Sequence, residues 1–263
     1  MDLDAHKTLI QRIFDSASTT YGHKGCSFFD HFGERLVALA QPAEGDQILD
    51  IATGTGAILV PAAQRVGPYG HVTGIDLSHK MLSAAATRAP FPWVHLQQMD
   101  AEHLLFPDRA FDQLFCGFAI FFFSQIEQAL LEFRRVLKRG GRLAISTFYK
   151  RTLLDEWVSE RIRHYGVLNQ LASMCANTPE KLQGLLEQAG FSQIQIYQES
   201  TLAIHKDAEA WWDSLWSHGA RSRLEQLSPE ALVQCKAEAL AYAGAGRIEE
   251  VRTALLAVAH CEK

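Results

Sequence analysis

The stretch "ILDIATGTGAIL", residues 48–59, brings an apolar run to an aspartate and then turns through two glycines. A glycine loop between a strand and a helix holds a ligand by its backbone, because a chain without Cβ atoms can approach closely and adopt left-handed angles. Several ligands compete for such a loop. The dinucleotide fingerprint G-x-G-x-x-G needs a third glycine, and after Gly54 and Gly56 that place holds Leu59. A P-loop must end in Lys-Ser or Lys-Thr, and neither pair follows. Asp50, four residues before Gly54, adds a charge argument. It would repel a pyrophosphate and suits a cation. The first amides of the following helix can receive a carboxylate. The loop of Ala52, Thr53, Gly54, Thr55 and Gly56 therefore reads as a seat for a ligand with a cationic, amino-acid-like end. Two more acids fit a nucleoside beside it. Asp76 ends the next apolar segment 20 residues after Gly56, where nucleoside-binding sheets place an acid on the ribose hydroxyls. Asp100, in "QQMDAEHL", can accept from an exocyclic amine while the amide of Ala101 donates to a ring nitrogen.

These residues need a framework that presents them together. "QILDI", "HVTGID", "WVHLQ", "FDQLFCGF" and "RLAISTF" read as near-continuously apolar strands. Helical patterns separate most of them: "AILVPAAQRVG", "SHKMLSAAATRA" with Ser78 as N-cap, and "SQIEQALLEFRRVLKRGG" closed by Gly140 and Gly141. Alternation of this kind gives a doubly wound α/β sheet. Two helices precede it, one over residues 3–18 and one in "FFDHFGERLVALA". After it come a helical stretch from Leu153, a helix capped by Thr178 and stopped by Gly190, and a strand in "SQIQIYQ". Two further helices follow, in "DAEAWWDSLWSHGARSRLEQL" and "SPEALVQCKAEALAYAG", then a strand-length run in "VRTALLAVAHCEK". The division expected is a helical cap over 1–44 and a ligand-binding core over 45–263, with helical insertions at about 150–177 and 205–243.

Composition narrows the function classes. The 263 residues are 48% hydrophobic and 21% charged, with a net charge of −5, so neither a nucleic acid nor an anionic membrane is an expected partner. The N-terminal residues are too polar for a signal peptide or a membrane span. Five scattered cysteines without a C-x-x-C pair, and eleven histidines without ligand spacing, indicate neither a metal site nor a disulfide framework. A reduced, cytoplasmic protein is the expectation.

The ordered set "LDIATGTG", "TGIDLS", "MDAEHL", "FDQLF" and "LKRGGRLAI" resembles the class I S-adenosylmethionine-dependent methyltransferases. Within them it is most similar to the ubiquinone/menaquinone-biosynthesis type and to small-molecule methyltransferases of secondary metabolism. S-adenosylmethionine has the ammonium, carboxylate and sulfonium that Asp50 and the loop amides would suit. Two positions depart from the family pattern: its usual first glycine is Ala52 here, and the Pro of L-K-P-G-G is Arg139. The resemblance implies a Rossmann-like seven-stranded sheet with the last strand antiparallel. It implies cofactor contacts from Tyr21, Ala52, Gly54, Gly56, Asp76, Leu77, Asp100, Ala101 and Phe118, with Met81 near the adenine and Tyr21 folded over the methionine end.

The acceptor should lie over the carboxyl ends of the strands, roofed by the N-terminal helices and the two insertions. Phe28, Phe29, Phe122, Tyr165, Trp212 and Trp216 fall in or near these segments. Their plain reading is core of the cap, and their functional reading is an apolar acceptor pocket for a hydrophobic or aromatic small molecule. O-methylation is favoured, with C- or N-methylation the other possibilities. A base is required only if the acceptor must lose a proton. His218, at a helix end in "WSHG", is the first candidate, followed by His164 and His205. The competing readings are a protein that binds S-adenosylmethionine for regulation or an isomerising reaction, and an NAD-type oxidoreductase, disfavoured by Leu59 and Asp50.

Overall fold

The computed structural model describes residues 3–22, 28–167 and 176–262. Its centre is a seven-stranded sheet in the order β3-β2-β1-β4-β5-β7-β6. The strands are β1 (Gln47–Ile51), β2 (His71–Asp76), β3 (Val94–Gln98), β4 (Phe111–Gly117), β5 (Leu137–Lys150), β6 (Phe191–His205) and β7 (Ile248–Cys261). All neighbours pair in parallel except β7, which runs antiparallel to both β5 and β6. The chain moves outward from β1 to β2 on one side and resumes with β4 on the other. This switch point opens a crevice at the carboxyl ends of β1 and β4, where open α/β sheets bind ligands.

The flanking helices are α1 (Leu3–Ala17), α2 (Phe28–Ala40), α3 (Leu59–Val66), α4 (His79–Arg88), α5 (Ile126–Val136), α6 (Leu153–His164), α7 (Pro179–Gln188), α8 (Ala208–Leu215), α9 (Arg221–Leu224) and α10 (Pro229–Ala243). Side-chain caps start several of them. Ser78 accepts from the Met81 amide, Thr178 from Lys181, and Ser228 from Ala231, while Thr152 and Asp155 form a reciprocal capping box on α6. The main core joins the sheet to α2 through Phe32, Leu36 and Ala40. A second core, built on Trp211, Trp212 and Leu215, holds α6, α8, α9 and α10 together.

Three boundaries differ from the sequence reading, for tertiary reasons. The helix expected to reach Gly141 ends at Val136: Leu137 pairs with Phe111, the chain bulges, and pairing resumes at Arg142 with Gln113. Lys138 holds the bulge by its 2.8 Å ion pair to Asp112. β6 is about twice the length expected, because β7 supplies its hydrogen-bond partners along nearly the whole run. The single helix read across 207–227 breaks at Trp216–Ala220 into α8 and α9. The helical reading of 168–175 lies outside the described residues. No described helix is long and apolar enough to cross a membrane.

Candidate functional site

The loop after β1 is strained and firmly tied. Ala52 takes φ +52°, Gly54 +54° and Gly56 +92°. The left-handed region costs an alanine roughly 1–2 kcal/mol, which accounts for glycine being the usual residue at that point of the pattern. The Thr53 amide donates to the Ile75 carbonyl at 2.9 Å, and its hydroxyl donates to Asp50 at 2.6 Å. Asp76 anchors the other side: one oxygen accepts from the Gly54 amide at 2.9 Å, the other from the Ser78 amide at 2.8 Å. A carboxylate offers about four lone-pair positions, so Asp76 retains acceptors for two hydroxyls. Gly33 on α2 completes the packing, since a Cβ there would collide with the Ala57 carbonyl.

Burial dominates the electrostatics of this pair. Asp50 is 1% exposed, and burial, with the Asp76 charge adding to it, pushes its carboxyl up to about 7 against the Thr53 hydrogen bond. Burial pushes Asp76 up to about 6, opposed by the Ser78 and Gly54 amides. Two carboxyls that resist ionisation in the free protein are placed to welcome a cation and hydroxyl donors.

Two adjoining cavities open here. The smaller, of about 440 Å³, has Asp50, Thr53, Thr55 and Ser146 in its wall. The larger, of about 720 Å³ including its mouth, is lined by Asp76, Leu77, Met81, Asp100, Ala101 and Phe118 among others. Tyr21, Ala52, Gly54 and Phe118 border both, so the sequence-derived cofactor residues converge on one space, except Gly56, which lines neither cavity and faces Leu59 and Ala85. Tyr21 stacks on Phe29 with 5.1 Å between centroids. Asp100 is held within the chain: Lys7 of α1 approaches it at 2.7 Å, His103 at 3.1 Å and the Glu102 amide at 2.9 Å. Burial raises its pKa, but these partners together keep it below the usual carboxylate range. Lys7 also reaches Glu102 at 2.6 Å. Helix α1 thus lays His6, Lys7, Ile10 and Phe14 along the larger cavity, a contribution that the polar face of a surface helix gave no means to anticipate.

A third cavity, about 1290 Å³ with its open mouth, meets the larger one at Tyr21, Phe118 and Phe122. Phe29, Phe121, Phe148 and Tyr149 add to its aromatic wall, and His218 and Gly219 close one side. Phe28 lies behind that wall, 4.2 Å from Phe29 between centroids. Its polar groups come from distant segments: Arg151 follows β5, Asp155 and Ser159 lie on α6, Arg223 on α9 and Arg252 on β7. Arg252 donates to Asp155 at 2.5 Å and to buried Glu250 at 2.9 Å. Burial raises Glu250, but His205, Arg252 and Thr152 bring it down to about 2. A charged residue inside the apolar run "VRTALLAV" was the available signal for Arg252. Arg223 left none.

Among the remaining expected residues, the structure separates those at the cavity from those outside it. His218 lines it, and its Nδ1 accepts from the Ala220 amide at 3.3 Å. Burial, then the Arg252 and Arg223 charges, lower its pKa to about 3. The neutral ring therefore carries its proton on Nε2. Trp212 and Trp216 pack in the second core, as the i, i+4 face of α8 turns inward to α6 and α10. Tyr165 belongs to the same core and donates to Glu238 at 3.3 Å. His164 is exposed at the end of α6. These four lie outside the described cavities. No metal-ligating cluster occurs among the described residues.

The switch-point crevice, the cradle of left-handed residues and the acids ending β1 and β2 define a class I S-adenosylmethionine-dependent methyltransferase. The residues fit that cofactor: amides and Asp50 for the amino acid end, Asp76 for the ribose, an apolar slot for the base. Residues 49–145 match a family described as a methyltransferase domain. Aklanonic acid methyltransferase of Streptomyces sp. strain C5 is 37% identical over 150 residues, spanning 56% of this chain and 68% of that protein. Nocamycin O-methyltransferase of Saccharothrix syringae is 28% identical, over 86% and 88% of the two chains. A 2-phytyl-1,4-naphthoquinone methyltransferase of Thermosynechococcus vestitus is 30% identical, over 72% and 93%. Among solved structures, the YcgJ protein of Bacillus subtilis shares the fold with a TM-score of 0.59 at 22% identity, covering 89% of this chain and 99% of that one. The chain belongs to the S-adenosylmethionine-dependent methyltransferases of small molecules.

Proposed function

We propose that the protein methylates an oxygen atom of a small hydrophobic or aromatic acceptor held in the third cavity. The observation carrying this reading is the junction of that cavity with the cofactor cavity at Tyr21, Phe118 and Phe122. An aromatic acceptor lying against Phe29, Phe121 and Phe148 would present its edge at this junction. The bound cofactor supplies an electrophilic methyl group on a sulfonium. The chain's own contribution is to hold and orient. Asp76 takes the ribose hydroxyls, Leu77, Met81, Ala101 and Phe118 enclose the base, and Asp50 with residues 52–56 receives the amino acid end. Tyr21 and the Phe rings exclude water, and alignment of this kind is worth on the order of 7–11 kcal/mol.

His218 enters as a neutral donor from Nε2 and not as the base expected from its position. Its Nδ1 lone pair is occupied, and a pKa of about 3 makes it a weak proton acceptor. An acceptor oxygen that is already ionised needs no base. The name of one relative, nocamycin O-methyltransferase, supports oxygen, whereas another is named a C-methyltransferase.

Incubation with methyl-labelled S-adenosylmethionine and a panel of aromatic acids, phenols and quinols should transfer label to oxygen, and calorimetry should detect S-adenosylhomocysteine but not NAD. Cofactor binding without transfer to any acceptor would favour a non-transferring role. NAD binding as tight as the homologue would remove the reading altogether.

A further inference from the structure

Arg223 is a half-buried guanidinium on the wall of the third cavity. Its one hydrogen bond is from Nη1 to the Ser159 hydroxyl at 3.1 Å, and it forms no ion pair with a carboxylate among the described residues. Its electrostatic surroundings add to the deficit. Burial, Arg151 and Arg163 disfavour the charged form, with only Asp155 opposing them. Asp155 is itself committed to Arg252 at 2.5 Å. Arg151 and Lys150 stand on the same wall, also without carboxylate partners among the described residues, so the cationic charge of the wall is not balanced from within. Desolvating a guanidinium without an anion costs stability. Such an arrangement persists where the missing anion arrives with a ligand, and the planar fork of Arg matches a carboxylate in two parallel hydrogen bonds. Much of the rest of the wall is aromatic, through Phe121, Phe148 and Tyr149.

We propose that the third cavity recognises an aromatic carboxylate, and that Arg223, assisted by Arg151, is the group that selects it. The proposal rests on the acceptor reading of this cavity and sharpens it: the acceptor enters as an anion. A neutral isostere would leave the arginine desolvated and unpaired, which is a strong basis for discrimination.

The probes are 2-naphthoate and its neutral amide, 2-naphthamide, which share size and ring. Each is titrated calorimetrically into protein saturated with S-adenosylhomocysteine. Wild type should bind the acid at least about tenfold more tightly than the amide, the effect of one charge-assisted hydrogen bond, and added salt should weaken only the acid. Arg223→Gln should bring the two affinities within about twofold, and Arg223→Lys should restore part of the preference. Arg151→Gln changes an exposed residue that the fold does not need, and should lower the preference roughly threefold. Homologue affinity should be unchanged in all three variants. Equal affinity for acid and amide in the wild type, including no detectable binding of either at millimolar concentration, would overturn the proposal. So would a preference that survives both Arg223→Gln and Arg151→Gln. Loss of homologue binding in the wild type would strike instead at the methyltransferase reading beneath it.

Discussion

At the scale of single residues, electrostatic surroundings decide what a group can do. His218 has a base's position at a helix break, but its neighbours are Arg223 and Arg252, and its Nδ1 is taken by a backbone amide. With a pKa of about 3 the ring is neutral throughout physiological pH. A neutral donor can be replaced by another neutral donor. His218→Gln should therefore keep kcat within a few-fold of wild type, whereas His218→Ala should lower it roughly 10–100-fold through loss of a hydrogen bond to a charged oxygen. The kcat–pH profile between 5 and 8 should show no ionisation that His218→Gln removes. A general base would behave otherwise. Both variants would then fall by about 10²–10⁴-fold, and the wild-type profile would carry a limb that both abolish. Steady-state kinetics with cofactor affinity measured separately distinguishes the two outcomes.

At the scale of elements, the cofactor loop is held in place by the helix packed on it. Gly33 lets α2 lie directly against the loop, and a methyl group there would meet the backbone of Ala57 and Ile58. Backbone cannot rotate aside as a side chain can. Gly33→Ala should cost about 1–3 kcal/mol as an overpacked site and should also weaken S-adenosylhomocysteine binding by displacing residues 52–58. Gly184→Ala on α7 is the control, since a Cβ there meets nothing within 4 Å. It should leave affinity unchanged and stabilise slightly through helix propensity. Thermal melts and calorimetry on both variants test the contrast, and equal behaviour would mean that α2 does not set the loop. The same distinction between local and distant determinants explains what the sequence disclosed. Asp50, Asp76 and Gly54 were legible because a strand end fixes a residue's place at the crevice within a few positions. The break between α8 and α9 was not, because it depends on contacts such as Gly219 against Phe122. Nor was the full length of β6, which β7 determines across more than 40 intervening residues. The acceptor wall was the least legible part: Phe148, Arg223 and Arg252 meet only after α6, α9 and β7 have docked. The aromatic pattern of Trp212 and Trp216 belonged to that docking itself.

At the scale of the whole molecule, the free protein's stability is set against its cofactor site. Asp50 has a folded pKa of about 7, against about 3.9 in an unfolded chain. Between these values the folded state holds a proton that the unfolded state has released, so stability falls as pH rises through that window. The penalty is small below about pH 4 and fully present above the folded value. Asp50→Asn removes it and still offers Thr53 an acceptor. The variant's melting temperature relative to wild type, without cofactor, should thus grow from near zero at pH 4 to its maximum near pH 8. The rise from about 3.9 to about 7 is worth at most about 4 kcal/mol, which would move a chain of this size by up to roughly 8–16 °C. Cofactor should reverse the order. An ammonium near Asp50 favours its ionised form, so wild type binding the homologue near pH 7 should release a fraction of a proton, seen as a difference between buffers of unlike ionisation enthalpy. Asp50→Asn should release less and bind more weakly, and wild-type affinity should rise with pH before levelling above the folded pKa. At saturating homologue and pH 8, the wild type should gain more from the ligand than the variant does. If the variant were no more stable at pH 8 than at pH 4 relative to wild type, Asp50 would already be ionised at little cost in the free protein. If proton release were the same in both proteins, the ammonium would lie elsewhere, and the seat assigned to residues 50–56 would have to be redrawn.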